Sequence, residues 1–186
     1  NGHWRNGPWK SFFDIVSKKV PFERLLAEDL GVELDETDQI LKKYNIPGML
    51  LLEQRIPNGD GSEEISPDMW EENYAAYTGT HDSPTIKQWL ENANKTQLNA
   101  FNQYSEKLIE KFREDVWNFI SLIWSTPSVL AITTTQDLLE LGSDARFNVP
   151  GTEIGNWKWR LSSLDLLKDP LNKISKLNNV YNRSNS

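Results

Sequence analysis

Residues 75–82, Ala-Ala-Tyr-Thr-Gly-Thr-His-Asp, end a short apolar run with a histidine and a carboxylate. Ala27-Glu28-Asp29-Leu30-Gly31 follows the same pattern, since its acids come directly after Leu25-Leu26-Ala27. If both runs are strands of a parallel sheet, their acids lie at the carboxyl-end rim, where α/β barrels hold active sites. Two carboxyl groups suit glycosidic bond chemistry, in which one protonates the leaving oxygen and negative charge stabilises an oxocarbenium-like transition state. The alternative is that each acid only caps the helix that follows.

Short apolar runs alternate with helical patterns along the rest of the chain. The four runs predicted to be strands span residues 24–27, 48–53, 75–78 and 129–134. Helical spacing of apolar side chains occurs in residues 12–16, 37–44, 86–90 and 95–124. The last of these segments is long enough for an amphipathic helix pair. Ser83-Pro84 is predicted to begin the helix over residues 86–90, because Pro is tolerated in a first helical turn.

This alternation predicts an α/β fold with a parallel sheet, in which right-handed crossovers bring every strand end to one rim. A closed barrel has eight βα units and takes about 250 residues. With four units, the 186-residue chain is expected to form the C-terminal half of a (β/α)8 TIM barrel over residues 1–170. Residues 171–186, rich in Asn, Lys and Ser, are expected to fray. The chain starts at Asn1 rather than Met, which is typical of a fragment.

The composition disfavours several classes of partner. With 20 basic and 27 acidic residues, the formal charge of −7 would repel nucleic acid and anionic membranes. The longest apolar stretches, 49–52 and 129–132, are far shorter than the roughly 20 residues that cross a bilayer. There is no cysteine and no pattern of a signal peptide, so a cytoplasmic location is expected. The two histidines, His3 and His81, lack ligand-like spacing, so neither a metal nor a cofactor is expected.

Several polar residues could act on a sugar. Glu28 and Asp29 are adjacent, so on a strand only one faces the cleft, and alternation does not say which. A neutral His81 could donate a hydrogen bond to a sugar hydroxyl. The polar segment 136–152 is predicted to be a functional loop, with a plain solvated connection as the alternative. The eight tryptophans suit pyranose faces, although most are expected to pack in the core.

Six motifs occur in order along the chain. They are Ala27-Glu28-Asp29-Leu30-Gly31, Ile46-Pro47-Gly48-Met49, Tyr77-Thr78-Gly79-Thr80-His81-Asp82, Gln136-Asp137-Leu138-Leu139, Ala145-Arg146-Phe147-Asn148-Val149-Pro150-Gly151-Thr152 and Asn156-Trp157-Lys158-Trp159-Arg160-Leu161. From Asn1 to Leu167 the chain resembles the 4-alpha-glucanotransferases, the amylomaltases or disproportionating enzymes of glycoside hydrolase family 77. The resemblance implies a (β/α)8 barrel enzyme that cuts an α-1,4 bond in a maltooligosaccharide and passes the glycosyl unit to the 4-hydroxyl of another glucan, with retention of configuration.

The resemblance also implies roles for individual residues. Glu28 falls on the general acid/base, and Asp82 falls on the acid that stabilises the transition state. The substrate-binding residues expected beside them are His81, Asp29, Asn148, Pro150 and Gly151. Because Glu28 would give and later take a proton, it is expected to be partly desolvated, with Asp82 kept ionised by donors such as His81.

Two departures from the family pattern limit this assignment. The Asp nucleophile of an Asp-His-Phe-Arg-Gly type motif is absent from this chain and is expected upstream of Asn1, in the other half of the enzyme. Ser83-Pro84 stands where the family often has Asn-Asp. The expected function is therefore an α-1,4-glucan transferase fragment that is inactive without its N-terminal half. The alternative is a non-catalytic fragment that binds α-glucans or another partner through its tryptophans.

Overall fold

The computed structural model describes residues 3, 5, 7–30, 35–59 and 66–183. The chain divides into two compact units, residues 1–49 and residues 50–186. In the N-terminal unit, helix α1 spans Trp9–Val16, a 3-10 turn spans Phe22–Arg24 and helix α2 spans Asp35–Tyr44. The rings of Phe13 and Phe22 each lie 5.0 Å from the ring of Tyr44, centroid to centroid. This aromatic cluster joins the 3-10 turn to the two helices, both of which the apolar spacing predicted.

The predicted strand at residues 24–27 is wrong. The 3-10 turn ends at Arg24, and the N–H of the next residue, Leu25, donates to the carbonyl of Phe22. The backbone is then extended, and Ala27 N donates to Pro47 O at 2.8 Å, but residues 24–27 are not assigned to any strand. An extended apolar run becomes a strand only where a neighbour accepts and donates repeatedly along its length.

The other three predicted strands are present. Strand β1 spans Gly48–Leu51, β2 spans Tyr74–Tyr77 and β3 spans Leu130–Ile132, in the sheet order β1-β2-β3. Strands β2 and β3 are parallel, with Ala76 opposite Ala131. The fold is therefore α/β with a parallel sheet, as predicted. The strand predicted at residues 48–53 is shorter than expected, because its last residues, Leu52 and Glu53, begin a one-turn helix.

The helices of the C-terminal unit follow in chain order. They are α3 (Leu52–Arg55), α4 (Ile86–Asn92), α5 (Lys95–Glu106), α6 (Asp115–Ser125), α7 (Thr135–Leu138) and α8 (Lys168–Val180). Additional 3-10 turns span Pro67–Met69, Ser143–Ala145 and Leu164–Leu167. Helices α5 and α6 are the predicted helix pair. Phe119 of α6 is fully buried, with its ring 5.4 Å from Trp89 of α4 and 5.9 Å from Phe101 of α5.

The start of α4 differs from the prediction. Thr85, not Ser83-Pro84, precedes the helix, and its hydroxyl accepts a hydrogen bond from Gln88 N. The Ser83 hydroxyl instead accepts a hydrogen bond from Thr80 N at 3.0 Å within the loop. Ser and Thr can both cap a helix. Ser83 does not do so here, because its hydroxyl is bonded to Thr80 N within the loop.

The expected fraying of residues 171–186 is wrong as far as residue 183, and residues 184–186 lie outside the described part. Leu177 of α8 is fully buried, and Asn178 accepts a hydrogen bond from the Trp124 indole at 2.8 Å. The Arg183 guanidinium donates to the carbonyls of Trp124 and Ser128 at 2.8 and 2.9 Å. The sequence signal that could have indicated this helix is the helical spacing of Ile174, Leu177 and Tyr181 in an otherwise polar segment.

Candidate functional site

In the C-terminal unit, polar residues converge on Asp82, in the loop that follows β2. Asn148 Nδ2 donates to Asp82 Oδ1 at 2.5 Å, and His81 Nε2 lies 3.5 Å from the same oxygen. The Arg146 guanidinium donates to the backbone carbonyl of Asp82 at 2.6 Å. The Asp82 side chain remains 46% exposed. The carboxylate is therefore oriented by neighbouring donors while it still faces solvent, as a sugar-binding acid must.

A second loop, residues 146–157, lies against His81 and Asp82. Asn148 N donates to His81 O at 3.1 Å, and Arg146 Nε donates back to Asn148 O at 2.8 Å. The structure therefore brings together three of the predicted site residues, His81, Asp82 and Asn148. Their contact depends on two loops that are more than 60 residues apart in sequence.

Aromatic rings border this cluster. The His81 ring lies 5.2 Å from the Trp157 ring at an interplanar angle of 35°, and Phe147 stacks on Trp157 at 6.2 Å. Trp157 has a positive φ of 62° and donates its N–H to Phe147 O at 2.7 Å. Its residue surface is 54% exposed. Such an indole offers an apolar face next to hydrogen-bonding groups, which suits a pyranose ring.

Pro150 and Gly151 lie in an exposed turn of the same loop. Thr152 N donates to Val149 O at 3.2 Å, and Gly151 has a φ of +79°. Pro followed by a residue with positive φ is typical of a type II turn, where glycine is favoured. The hydrogen bond that leads from this turn back into the loop is from Val149 N to Asn156 Oδ1, at 3.0 Å.

Glu28 and Asp29 belong to the N-terminal unit, where they have different surroundings. Asp29 is half-buried, and its Oδ1 accepts a hydrogen bond from Met49 N at 2.8 Å. Glu28 is exposed in this chain, and its expected partial desolvation in the intact enzyme stays a prediction. Which of the two acids faces the cleft also stays open, because residues 28 and 29 do not lie in a strand of this structure.

Two further acids, the buried Asp137 and the half-buried Glu53, were not predicted as site residues. Asp137 is 2% exposed, and burial raises the pKa of its carboxyl, although hydrogen bonds from Ile86 and Thr78 oppose that rise. Burial also raises the pKa of Glu53, with a further increase from the charge of Asp137, while Ser83 and Arg146 lower it. Both acids come shortly after the ends of strands, in the same pattern as Asp82. That pattern could have identified them from the sequence.

Within the described ranges, no group of three or more His, Asp or Glu side chains is arranged to hold a metal ion. None of the helices in the part of the chain that the structure describes is long and apolar enough to cross a membrane.

The chain is similar to known proteins along nearly its whole length. A family model described as 4-alpha-glucanotransferase matches residues 1–166. A 4-alpha-glucanotransferase from Clostridium butyricum is 34% identical over 98% of this chain. A chloroplastic/amyloplastic 4-alpha-glucanotransferase from Arabidopsis thaliana is 35% identical over 98% of it. The solved amylomaltase from Streptococcus agalactiae in complex with acarbose has a TM-score of 0.86, at 30% identity over 99% of this chain.

The relatives are longer than this chain. It spans 37% of the Clostridium protein, 32% of the Arabidopsis protein and 37% of the chain in the Streptococcus structure. The 186 residues therefore correspond to about a third of each of these proteins.

Proposed function

Because this chain belongs to the 4-alpha-glucanotransferase family, we propose that it is part of an enzyme that transfers α-1,4-glucan segments with retention of configuration. The observation that carries the proposal is the cluster in which Asn148 and His81 surround an exposed Asp82 carboxylate beside the Trp157 ring. A carboxylate, two donors and an aromatic face together can hold a sugar and stabilise positive charge that develops on it.

In this proposal, the two acids have separate tasks. Glu28 protonates the leaving glycosidic oxygen and then, as a carboxylate, removes the proton from the incoming 4-hydroxyl. Asp82 binds sugar hydroxyls and stabilises the oxocarbenium-like transition state. Asp29 supports Glu28 through its hydrogen bond to Met49 N. The nucleophile comes from residues outside this chain, which lacks the corresponding Asp motif and spans only about a third of its relatives.

The remaining assignments extend this picture. We propose that the parallel sheet is part of a (β/α)8 barrel, supported by the TM-score of 0.86 with an amylomaltase. His81, Asn148 and the turn at Pro150 and Gly151 contact the bound glucan. The similar Streptococcus structure holds acarbose, and for this chain we propose α-1,4-glucans and maltooligosaccharides as ligands. The proposed location is the cytoplasm, which microscopy of the tagged protein can test. Fluorescence in plastids, the location named for the Arabidopsis relative, would contradict it.

Incubation with maltotriose, followed by chromatography of the products, tests the function. The intact enzyme is expected to yield both longer and shorter glucans, and the 186-residue chain alone is expected to leave the sugar unchanged. Restored turnover after the rest of the enzyme is added would support the division of catalytic groups. Transferase activity from the isolated chain would contradict the placement of the nucleophile outside it. An intact enzyme that binds maltotriose without converting it would favour the alternative of a glucan-binding protein.

Light scattering of the isolated chain gives a second measurement. A partial barrel leaves sheet edges and an apolar sheet face without a partner, which favours association. We expect the chain to be self-associated, and the rest of the enzyme to compete with that association. A stable monomer would argue against the half-barrel.

A further inference from the structure

We propose that Asp137 and Glu53 are positioning residues for the loop that carries Asp82: Asp137 fixes both ends of the loop, and Glu53 fixes its middle. This inference rests on the proposed function for the role of Asp82. It adds two acids that do not contact the substrate in the proposed mechanism and act through the loop instead.

Asp137 joins the two ends of the loop with one carboxylate. Thr78, the residue directly after β2, donates its hydroxyl to Asp137 Oδ2 at 2.9 Å. Ile86, the first residue of α4, donates its backbone N–H to Asp137 Oδ1 at 2.8 Å. The carboxyl is almost completely buried, where hydrogen bonds to a charged acceptor are strong and their loss is costly. The span from residue 78 to residue 86 is therefore set by a side chain of α7, the one-turn helix after β3.

Glu53 supports the middle of the loop through Ser83. The buried Ser83 hydroxyl accepts a hydrogen bond from Thr80 N at 3.0 Å and forms a hydrogen bond with the Glu53 carboxyl. Gly79 makes this arrangement possible, because a Cβ there would lie 2.9 Å from Ser83 Cβ. Thr80 Oγ1 in turn accepts a hydrogen bond from Asp82 N at 3.3 Å. A continuous series of contacts thus leads from Glu53 to the backbone of Asp82.

Arg146 links this support to the surface of the site. Its positive charge acts on Glu53 and lowers the pKa of that acid against the effect of burial. The same guanidinium donates to the carbonyls of Asp82 and Asn148 at 2.6 and 2.8 Å. Removing the charge of Glu53 would therefore weaken its hydrogen bond with Ser83 and remove a negative charge that interacts with Arg146. Both changes act on the position of Asp82.

A double-mutant cycle in the intact enzyme separates positioning from simple stability. We expect Asp137→Asn to lower kcat for maltotriose disproportionation by about 10- to 100-fold, as small displacements of reacting groups do. KM should change less than about twofold, because Asp82 acts mainly in the transition state. In an Asp82→Asn background, Asp137→Asn should have almost no further effect, because the residue that it positions is already disabled. Equal losses of kcat in both backgrounds would overturn the proposal.

Milder variants keep the test valid if Asp137→Asn fails to fold. Glu53→Gln retains an acceptor for Ser83, and Ser83→Ala removes the partner of Glu53. Each should lower kcat, and the two effects should not add. Glu91→Gln is the matched control, because Glu91 is an exposed acid on α4, and its kcat should match the wild type. Additive effects of Glu53→Gln and Ser83→Ala would contradict the proposed route through Ser83.

Amide hydrogen exchange of residues 79–83 gives a readout that does not depend on activity. Exchange there should rise at least about tenfold in Asp137→Asn and Glu53→Gln and stay unchanged in Glu91→Gln, because local opening becomes easier when the supporting bonds are lost. Unchanged exchange would overturn the positioning role even in an active enzyme. An enzyme without transferase activity whose loop exchange still rises would refute the proposed function and leave the structural support of the loop intact.

Discussion

The loop at residues 78–86 and the segment at residues 25–30 each carry a proposed catalytic acid, but they are held in different ways. The loop is bonded to two acids from outside its own sequence, the buried Asp137 and the half-buried Glu53. The segment belongs to no strand, Ala27 N donates to Pro47 O, Met49 N donates to Asp29, and Glu28 itself is exposed. A preorganised acid needs support for its own orientation, and among the described residues Asn148 and His81 give that support to Asp82. The comparison predicts different responses to substitution in the two regions.

The largest effect is expected for Glu28→Gln in the intact enzyme. Loss of a general acid lowers the rate by about 10²–10⁴-fold, and an exposed side chain contributes little to folding. Chromatographic rate measurements together with a thermal unfolding scan check this expectation. Asp38→Asn, at an exposed acid of α2 in the same N-terminal unit, is the control and should keep the wild-type rate. A loss of rate that follows a lower melting temperature would make Glu28 structural.

Asp82→Asn should have the next largest effect, a decrease in kcat of about 10²–10³-fold, comparable to the loss of one preorganised electrostatic group. The ground-state affinity for maltotriose should change less, because the stabilisation grows as positive charge develops. Steady-state kinetics and calorimetric binding provide both values. Asp144→Asn, at an exposed acid in the turn before Arg146, is the control. A rise in KM with unchanged kcat would mean that Asp82 only binds the substrate and does not stabilise the transition state.

Gly79→Ala tests how tightly the loop is packed. The added Cβ would lie 2.9 Å from Ser83 Cβ, so the loop must shift, and forced contacts of this kind destabilise proteins by about 1–3 kcal/mol. Gly7→Ala is the matched control in the N-terminal unit, because a Cβ there has no neighbour within 4 Å. Urea unfolding gives the free energy of unfolding of each variant. Equal values for the two variants would mean that the loop is not closely packed.

The smallest effect concerns pH. Burial raises the pKa of Asp137, so the unfolded chain loses this proton first, at about pH 4. Between the two pKa values the folded state binds more protons, and its stability falls as the pH rises. We therefore compare the free energy of unfolding of the wild type with that of Asp137→Asn. The wild-type value minus the variant value should decrease from about pH 4 upwards and level off above the raised pKa. The charge of Asp137 also acts on Glu53. A difference that increases with pH would show that hydrogen bonds outweigh burial.

Local sequence patterns were sufficient to predict the helices, because a helix forms through contacts between residues that are close in sequence. The helices at Trp9–Val16 and Asp35–Tyr44 and the pair α5 and α6 were predicted from apolar spacing. The prediction of a strand at residues 24–27 was wrong, because a strand forms only beside a partner strand and the local sequence does not show whether one is present. The tail was predicted to fray because its polar composition hid a few apolar residues, of which Leu177 is fully buried.

The candidate site was predicted only in part from the sequence. His81, Asp82 and Asn148 were identified by their motifs, and the structure brings them together. Glu53 and Asp137 were not assigned to the site, because an acid is recognised as a support only when its partners are known. The roles of all these residues stay predictions, and so do those of Glu28, Asp29, Pro150 and Gly151.

The sequence by itself determined the family, the α/β class and the identity of the acids, because motifs and periodicity are properties of residue order. Only the tertiary structure decided that Asp29 bonds to Met49 N while Glu28 is exposed, and that Asp137 joins Thr78 to Ile86. These contacts span from 20 to 59 residues in the chain. Their energy depends on burial and on the distance between groups, and both arise only when distant segments pack against each other.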